Sequence, residues 1–257
     1  MSQQGDATIL GMLEHRSIRR FTNDPVSTET LERWVQAGQA ASTSSHVQAF
    51  SAIRITEPKT RERLVELTGG QRQVAEAGAF LVICGDSRRH RLLATNAGTP
   101  CHENFESFLV AAIDAALFAQ NLVVAAESEG AGICYIGGLR NDLPAVDALL
   151  ELPAGVFPLF GLCLGTPAED PAVKPRLPIA GVLFTDRYPG DGELERAIEE
   201  HDAAMAKHYA ERGLPGRNWS GGVGRKRAVP HRTELPEYYT SKGARLDGRG
   251  GVVELDG

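Results

Sequence analysis

Apolar residues recur along this chain with two periods, which predict a mixture of helices and strands. Spacings of three and four residues, typical of amphipathic helices, occur at residues 7–14, after the N-cap candidate Ser27, from Pro58 to Gly69, from Leu143 to Leu150 and from Glu193 to Arg212. Alternating or continuous apolar runs, typical of strands, occur at Phe50–Thr56, Ala79–Cys84, Gly132–Ile136 and Val156–Leu164. The two kinds of element do not alternate one by one, and this order favours an α+β fold over a doubly wound sheet.

The segment from Glu103 to Glu129 is helical in pattern and apolar nearly all round in its middle. A helix of this kind belongs in the centre of a fold, because no face of it is suited to water. Its most apolar window, Val110–Ala126, is interrupted by Asp114, Gln120 and Asn121. We therefore expect a core helix and not a membrane span.

After Gly213 the composition changes, and residues 214–251 are rich in glycine, arginine and proline with few periodic apolar positions. Two interpretations stay open: a loose tail, or an arm that becomes ordered only against a partner subunit or a ligand. The run Gly221–Gly224 follows no apolar strand and is interpreted as flexible. Residues beyond about Lys242 are rich in glycine, and we expect them to be partly disordered.

The composition excludes several classes of protein. Hydrophobic residues make up 42% and charged residues 23% of the 257 residues, which is ordinary for a globular protein. The formal net charge of −6 argues against a general nucleic-acid binder, which needs a clustered positive surface. The four cysteines form no C-x-x-C pair, so we expect no metal site and no redox-active dithiol. The N-terminal sequence lacks the pattern of a signal peptide, and we expect a cytoplasmic protein.

The common nucleotide-binding and hydrolase motifs are absent from the sequence. No G-x-G-x-x-G follows a predicted strand, and no P-loop, G-x-S-x-G or H-E-x-x-H motif occurs. No pair of carboxylates lies in an apolar setting that suggests acid–base catalysis. The sequence therefore predicts that a bound cofactor performs the chemistry.

Three short segments are suited to holding an anionic cofactor. The first, His15–Phe21, places a histidine and three arginines around a serine hydroxyl, and it can bind phosphate through forked hydrogen bonds. The second, Lys174–Pro178, presents two cations on a backbone that proline restrains. The third, Cys134–Arg140, is a predicted strand that ends in two glycines, which let backbone N–H groups approach a planar ring. Taken alone, the first segment also fits a solvated helix end, the second a surface loop and the third a simple turn.

These segments belong to a set of five short motifs whose order along the chain points to a known family. The motifs are H-R-S-I-R at 15–19, T-G-G-Q at 68–71, Y-I-G-G-L-R at 135–140, P-L-F-G-L-C-L-G at 158–165 and K-P-R-L-P at 174–178. The set resembles the nitroreductase superfamily, most closely its oxygen-insensitive NADPH nitroreductase and flavin reductase branch. The resemblance extends from about Glu14 to Trp219.

The resemblance implies an architecture as well as a cofactor. It implies an α+β fold with a central, mostly antiparallel sheet surrounded by helices, an extended C-terminal arm and an intertwined homodimer. Residues 1–213 would form a core that binds FMN. Residues 214–257 would form the arm, which contributes to the dimer and to the NADPH site.

The resemblance also assigns residues, by matching each motif to its counterpart in this sequence. The implied FMN contacts are His15, Arg16, Ser17, Arg19, Thr43, Ser44, Gln71, Tyr135, Ile136, Gly137, Gly138, Lys174 and Arg176. Thr43 stands where the family usually has a serine and retains the hydroxyl group. Arg212 and Arg217 match the region that binds the 2′-phosphate of NADPH. The basic run at 225–227 either shares that role or is solvated surface.

The implied activity is two-electron, ping-pong reduction of nitroaromatics, quinones or related small acceptors by NADPH through FMN. No protein acid or base is needed, because the flavin accepts and donates the hydride. Arg16 is the first candidate to stabilise negative charge at the flavin ring. Three alternatives stay open: a flavin reductase that supplies reduced FMN to a monooxygenase, a flavin-binding protein without turnover, and a basic binding module without flavin.

Overall fold

The structure is a computed structural model that describes residues 3–246 and 251–253. The helices are α1 (Gln3–Leu13), α2 (Thr28–Gln39), α3 (Pro58–Leu67), α4 (Gln73–Glu76), α5 (Arg88–Ala97), α6 (Phe105–Ser128), α7 (Leu143–Leu150), α8 (Asp191–Glu211), α9 (Trp219–Arg227) and α10 (Leu235–Ser241). The strands are β1 (Phe50–Arg54), β2 (Ala79–Asp86), β3 (Cys101–Glu103), β4 (Gly132–Ile136), β5 (Val156–Gly165) and β6 (Gly251–Val253). Short 3-10 helices occupy Ser44–His46, Gly137–Asn141 and Ile179–Gly181.

Four strands form the central sheet in the order β1-β2-β5-β4, and every neighbouring pair is antiparallel. The register pairs Ile53 with Val82, and Cys134 with Cys163. All eight residues of β2 are buried, as expected for a central strand that is covered on both faces. The predicted α+β fold with a mostly antiparallel sheet surrounded by helices is therefore confirmed.

Side chains that alternate along the strands build two apolar clusters, one on each face of the sheet. Leu81 and Leu162 belong to the cluster that includes residues of α2, α6 and α10. Val82 and Cys163 belong to the cluster that includes residues of α3 and α7. Burial raises the pKa of the Cys163 thiol, which keeps it protonated and unreactive.

Helix α6 lies at the centre of the fold, as its apolar pattern predicts. It begins at a capping box in which Asn104 and Ser107 exchange hydrogen bonds, and it packs along α2 and β2. Among the described residues it is the one helix long and apolar enough to span a bilayer. Its face from Ala111 to Ala126 is buried in the protein, as in a core helix, and includes the fully buried carboxylate of Asp114.

Contacts between residues divide the chain into two compact units. One comprises residues 1–171 together with 232–257, and the other comprises residues 172–231. The second unit contains the 3-10 helix Ile179–Gly181, α8 and α9. Its helices are joined through Asp202 of α8, which accepts hydrogen bonds from the backbone N–H of Ser220 at 2.8 Å and from Asn218 Nδ2 at 3.1 Å.

The interpretation of residues 214–251 as lacking regular structure is wrong for two segments. The glycine run expected to be flexible lies within α9, which begins at the N-cap residue Asn218 and ends in three basic residues that suit its dipole. Helix α10 buries Tyr238 and Tyr239 in the first unit. Beyond Lys242, where we expect partial disorder, Ala244 is fully buried and Gly251–Val253 form β6, which pairs with β3, while residues 247–250 and 254–257 lie outside the described residues.

Candidate functional site

The basic segment His15–Arg19 follows α1 and lies beside β4. Ser17 forms a parallel β-bridge with Ile133, and the N–H of Ile18 donates to the carbonyl of Ile133 at 2.8 Å. A Cβ atom at Gly132 would lie 2.8 Å from Ile18 Cγ1, so glycine is what allows the segment to approach the strand. The fold therefore fixes the backbone of the basic segment against a strand of the central sheet.

Acidic side chains accept hydrogen bonds from some of the donors in this segment. One oxygen of Glu169 accepts hydrogen bonds from the backbone N–H groups of Arg19 at 2.5 Å and Arg20 at 3.1 Å. Arg16 Nη2 donates to Asp170 Oδ1 at 2.6 Å, in a solvent-screened pair whose acid is 83% exposed. The segment thus presents donors that bind anionic oxygens, which is the chemistry that a phosphate requires.

The C-terminal half of α6 presents two polar side chains to the same region. His15 Nδ1 lies 2.7 Å from Glu127 Oε1, and Tyr135 of β4 donates its hydroxyl to Gln120 Oε1 at 3.2 Å. Gln120 and Glu127 are seven residues apart, which places them on one face of the helix. Burial, followed by the charge of Glu127, raises the pKa of Tyr135 to about 12. Tyr135 is therefore a neutral hydrogen-bond donor at physiological pH.

The turn after β4 packs tightly against the T-G-G-Q turn. A Cβ atom at Gly138 would overlap Gln71 Nε2 and lie 2.6 Å from the carbonyl oxygen of Thr68. Gln71 is itself fixed, because its Nε2 donates to the Thr68 carbonyl at 2.9 Å and its Oε1 accepts from Gln73 at 3.2 Å. The structure thus brings together Gln71 and the glycine turn, two of the sites that the sequence predicts to contact the flavin.

Two arginines beside this turn, Arg140 and Arg232, are not among the cofactor contacts that the sequence predicts. Arg140 Nη1 donates to the carbonyl of Leu159, and its Nη2 lies 3.5 Å from where a Gly137 Cβ would be. Arg232 donates to Asn141 Oδ1 at 2.9 Å, and its pKa is lowered by burial and by the positive charge of Arg140. Arg140 follows the quoted glycines and was within reach of sequence analysis. Arg232 lies in a stretch without apolar periodicity, so no signal marked it.

The loop that contains Thr43 and Ser44 is held by a single buried carboxylate. Asp114 of α6 accepts hydrogen bonds from the backbone N–H groups of Ser44 and Ala49, each at 3.1 Å. An acid in an apolar helix was visible in the sequence, but its partners were not. Three non-glycine residues of this loop have positive φ, as backbone near functional sites often does: Ser45, His46 and Gln48.

The Thr43 hydroxyl oxygen is buried and has no hydrogen-bond partner within the described part of the chain. A buried hydroxyl without a partner is costly, and a ligand that hydrogen-bonds to it would remove that cost. A cavity of about 950 Å³ borders the same loop at Ser45–Gln48, between α2, β1 and α5. Its lining contains none of the predicted FMN contacts, so we assign the site by its donors and not by cavity size.

The other predicted contacts lie in the second unit, where the structure places them on exposed segments. Lys174 and Arg176 precede the 3-10 helix at 179–181 in an extended stretch. Arg212 is the C-cap residue of α8, and Arg217 directly precedes the N-cap of α9. Their roles toward FMN and NADPH stay predictions. Among the described residues no group of three or more histidine, cysteine or acidic side chains could hold a metal ion.

Comparison with known proteins assigns the family. Residues 12–166 match the Nitroreductase family, and residues 174–247 match the Nitroreductase family, C-terminal domain. The FMN reductase (NADPH) of Bacillus subtilis is 41% identical over 242 residues, which cover 92% of this chain and 97% of that protein. The oxygen-insensitive NADPH nitroreductase of Salmonella typhimurium is 41% identical over 239 residues, with the same coverage of each chain.

Solved structures give the same result at the level of the fold. The NfrA1 nitroreductase from B. subtilis matches with a TM-score of 0.89 and 41% identity, over 92% of this chain and 98% of that one. The NADPH:FMN oxidoreductase from Vibrio harveyi, complexed with NAD+, matches with a TM-score of 0.82 and 39% identity, over 92% and 97%. This chain belongs to the nitroreductase family.

Proposed function

We propose that this chain is an FMN-dependent oxidoreductase that uses NADPH to reduce nitroaromatics, quinones or related small acceptors. The observation that carries the proposal is the convergence of three motifs around β4. The basic segment His15–Arg19 runs beside the start of the strand, and the glycine turn at its end packs against Gln71. The relatives named as NADPH-dependent reductases of FMN and as a nitroreductase support the same activity.

The residues of the site fit FMN. His15 and Arg19 supply cationic or N–H donors suited to a phosphate, Ser17 adds a hydroxyl group, and Arg16 adds a positive charge suited to the flavin ring. The unpartnered hydroxyl of Thr43 is suited to a further polar group of the cofactor. When bound, FMN supplies the centre that accepts and donates hydride, so the protein needs no catalytic acid or base.

The roles of the protein residues follow from these positions. The basic segment would hold the phosphate, while Gln71 and Tyr135–Gly138 would hold the ring. Arg16 supplies positive charge where negative charge develops during reduction, once the cofactor competes with Asp170 for its guanidinium. We expect NADPH and the acceptor to use the same site in turn, as in a ping-pong cycle.

NADPH is proposed to bind through Arg212 and Arg217, because guanidinium groups bind a terminal phosphate in a bidentate manner. Arg212→Ala should raise KM for NADPH by roughly tenfold, the loss expected for one charged hydrogen bond, and leave KM for NADH nearly unchanged. Steady-state kinetics with both nucleotides measure this. Arg196→Ala, which removes another exposed arginine of α8, is the control and should change neither value. Equal effects of Arg212→Ala on both nucleotides would contradict the assignment.

A flavin reductase that hands reduced FMN to a partner monooxygenase is the second candidate. The NADPH-flavin oxidoreductase of Vibrio harveyi, 41% identical over 239 residues, favours it. A competition between free FMN and a quinone as acceptor separates the two activities. Preference for the quinone supports the main proposal, and preference for free FMN supports the second. A flavin-binding protein without turnover would use neither acceptor.

The assembly and location of the enzyme are also proposals. An exposed apolar stripe on α6, formed by Phe105, Leu109, Ile113 and Leu117, supports a homodimer. A reducing, cytoplasmic setting fits three free cysteines that are buried within the core: Cys84, Cys134 and Cys163. We expect small molecules as substrates, with no nucleic acid and no membrane as partner.

A further inference from the structure

Glu127 stands at an electrostatically unfavourable place. It lies in the last turn of α6, where the carbonyl ends of the helix dipole repel negative charge. Its side chain is only 19% exposed, and its Oε1 lies 2.7 Å from Nδ1 of His15, which is 27% exposed. A carboxylate at this position needs a nearby positive charge or a strong hydrogen-bond donor, and His15 supplies it.

The neighbouring acid of the same helix end behaves differently. Glu129 is bound by Arg33, at 2.6 Å, and by the indole N–H of Trp34, at 2.9 Å. These contacts connect α2 to the end of α6 and serve the fold. Glu127 instead contacts the first residue of the phosphate-binding segment proposed above. The two acids can therefore be compared directly, because Glu127 contacts the proposed site and Glu129 contacts α2.

The contact fixes how His15 can hydrogen-bond. A carboxylate at Nδ1 requires the proton to be on Nδ1, so Nε2 either accepts a hydrogen bond or, in the imidazolium, donates one. A phosphate oxygen needs a donor, and Nε2 provides one when the imidazole carries a proton on each ring nitrogen. A phosphate at Nε2 would be closer to the imidazolium than to the carboxylate, which lies across the ring, so attraction prevails over repulsion.

We infer that Glu127 is a positioning residue for the phosphate of FMN, which it serves by holding the imidazole of His15 at Nδ1 in the orientation that leaves Nε2 for the phosphate. The inference rests on the proposed function and deepens it. Comparable carboxylates behind histidines orient the imidazole in metal sites, where they act without touching the metal themselves.

The test compares two flavins that differ only in the phosphate. The full-length chain, freed of flavin, is titrated with FMN and with riboflavin, and binding is followed by quenching of flavin fluorescence. Glu127→Gln should raise Kd for FMN by roughly tenfold and leave Kd for riboflavin unchanged. Glu129→Gln, which weakens the scaffold contact, should leave the ratio of the two Kd values unchanged. A purely structural Glu127 would weaken both flavins alike.

A double variant checks that the effect passes through His15. His15→Gln should weaken FMN selectively, and adding Glu127→Gln to it should cause no further loss. If Glu127→Gln alone is too unstable to titrate, His15→Gln alone still tests whether the pair acts on the phosphate, because it should weaken FMN and not riboflavin. Selective loss with no additional effect in the double variant supports the inference. Unchanged FMN binding, or equal loss of both flavins, overturns it while the proposed function stands. A wild-type chain that binds neither flavin overturns both.

Discussion

Arg19 and Arg20 are adjacent, exposed arginines whose backbone N–H groups share one oxygen of Glu169. Arg19 alone belongs to the set proposed to bind the FMN phosphate, so the pair offers a matched comparison. Arg19→Ala should weaken FMN binding by roughly 10- to 100-fold, because a phosphate loses a charged hydrogen bond.

The same substitution at Arg20 should change FMN affinity by less than roughly threefold, since it removes an equal charge without a proposed phosphate contact. Fluorescence titration measures both variants. Equal losses in the two variants would mean that the segment acts only through its net charge, and no loss in either would remove Arg19 from the site.

At this scale the sequence predicted residues that act through local motifs and missed residues that act through distant partners. The quoted motifs lead directly to the basic segment and to the glycine turn. The pairs of Glu127 with His15, Asp170 with Arg16, and Arg232 with Asn141 join positions 112, 154 and 91 residues apart. No local pattern encodes such contacts, because they arise only when strands and helices pack.

At the scale of elements, apolar periodicity predicted α2, α3, α6 and α7, which bury an apolar face, but it missed α10, which buries Tyr238 and Tyr239. Ser27 caps α2 as expected, its hydroxyl accepting from the N–H of Thr30 at 3.0 Å. Helix α5 was missed because its one buried side chain is Arg91, paired with Glu103, so it shows no apolar stripe. Helix α9 was missed because it buries no side chain among its nine residues.

The turn after β4 provides a test at the same scale. Gly138→Ala should force the two turns apart, because the added methyl overlaps Gln71 and the Thr68 carbonyl. We expect a loss of about 1–3 kcal/mol in the free energy of unfolding, measured by chemical denaturation, together with weaker FMN binding.

Gly137→Ala is the control for that variant. Its added methyl would meet Arg140 Nη2 at 3.5 Å, which is an ordinary van der Waals contact. Stability should stay close to that of the wild type. If both variants behaved alike, the close approach of Gly138 to Gln71 would not explain the turn.

For the whole molecule, the exposed side of α6 is the feature that bears on assembly. Phe105, Leu109, Ile113 and Leu117 recur every four residues and are 49%, 40%, 49% and 44% exposed. That spacing aligns them in one stripe along the helix. An apolar stripe of this length on a single chain marks a protein interface, and it supports the proposed homodimer.

Leu117→Asp should shift the protein from dimer to monomer, because the new carboxylate would be buried in the proposed interface. Sedimentation analysis at micromolar concentration measures this. Leu93→Asp on α5 changes another exposed leucine, 67% exposed, and should leave the dimer intact. A wild-type chain that sediments as a monomer would contradict the homodimer.

How the chain divides into domains stays a prediction. The predicted boundary after residue 213 follows a change of composition, whereas contacts between residues group 232–257 with the first unit. The anchoring contacts are specific: the Tyr239 hydroxyl donates to the Pro158 carbonyl at 2.8 Å, and Lys242 Nζ lies 2.7 Å from Asp147 Oδ2. Composition does not reveal such contacts, and the embrace of a partner subunit by the arm stays a prediction.

The most direct test of the central claim is the visible absorption spectrum of the purified chain before and after anaerobic addition of NADPH. The account predicts a yellow protein whose flavin bands bleach with NADPH and return when a quinone is added, because hydride passes through bound FMN. Repeating the titration with NADH measures the preference between nucleotides. A colourless chain that FMN does not reconstitute, or a flavin spectrum that NADPH leaves unchanged, would contradict the account.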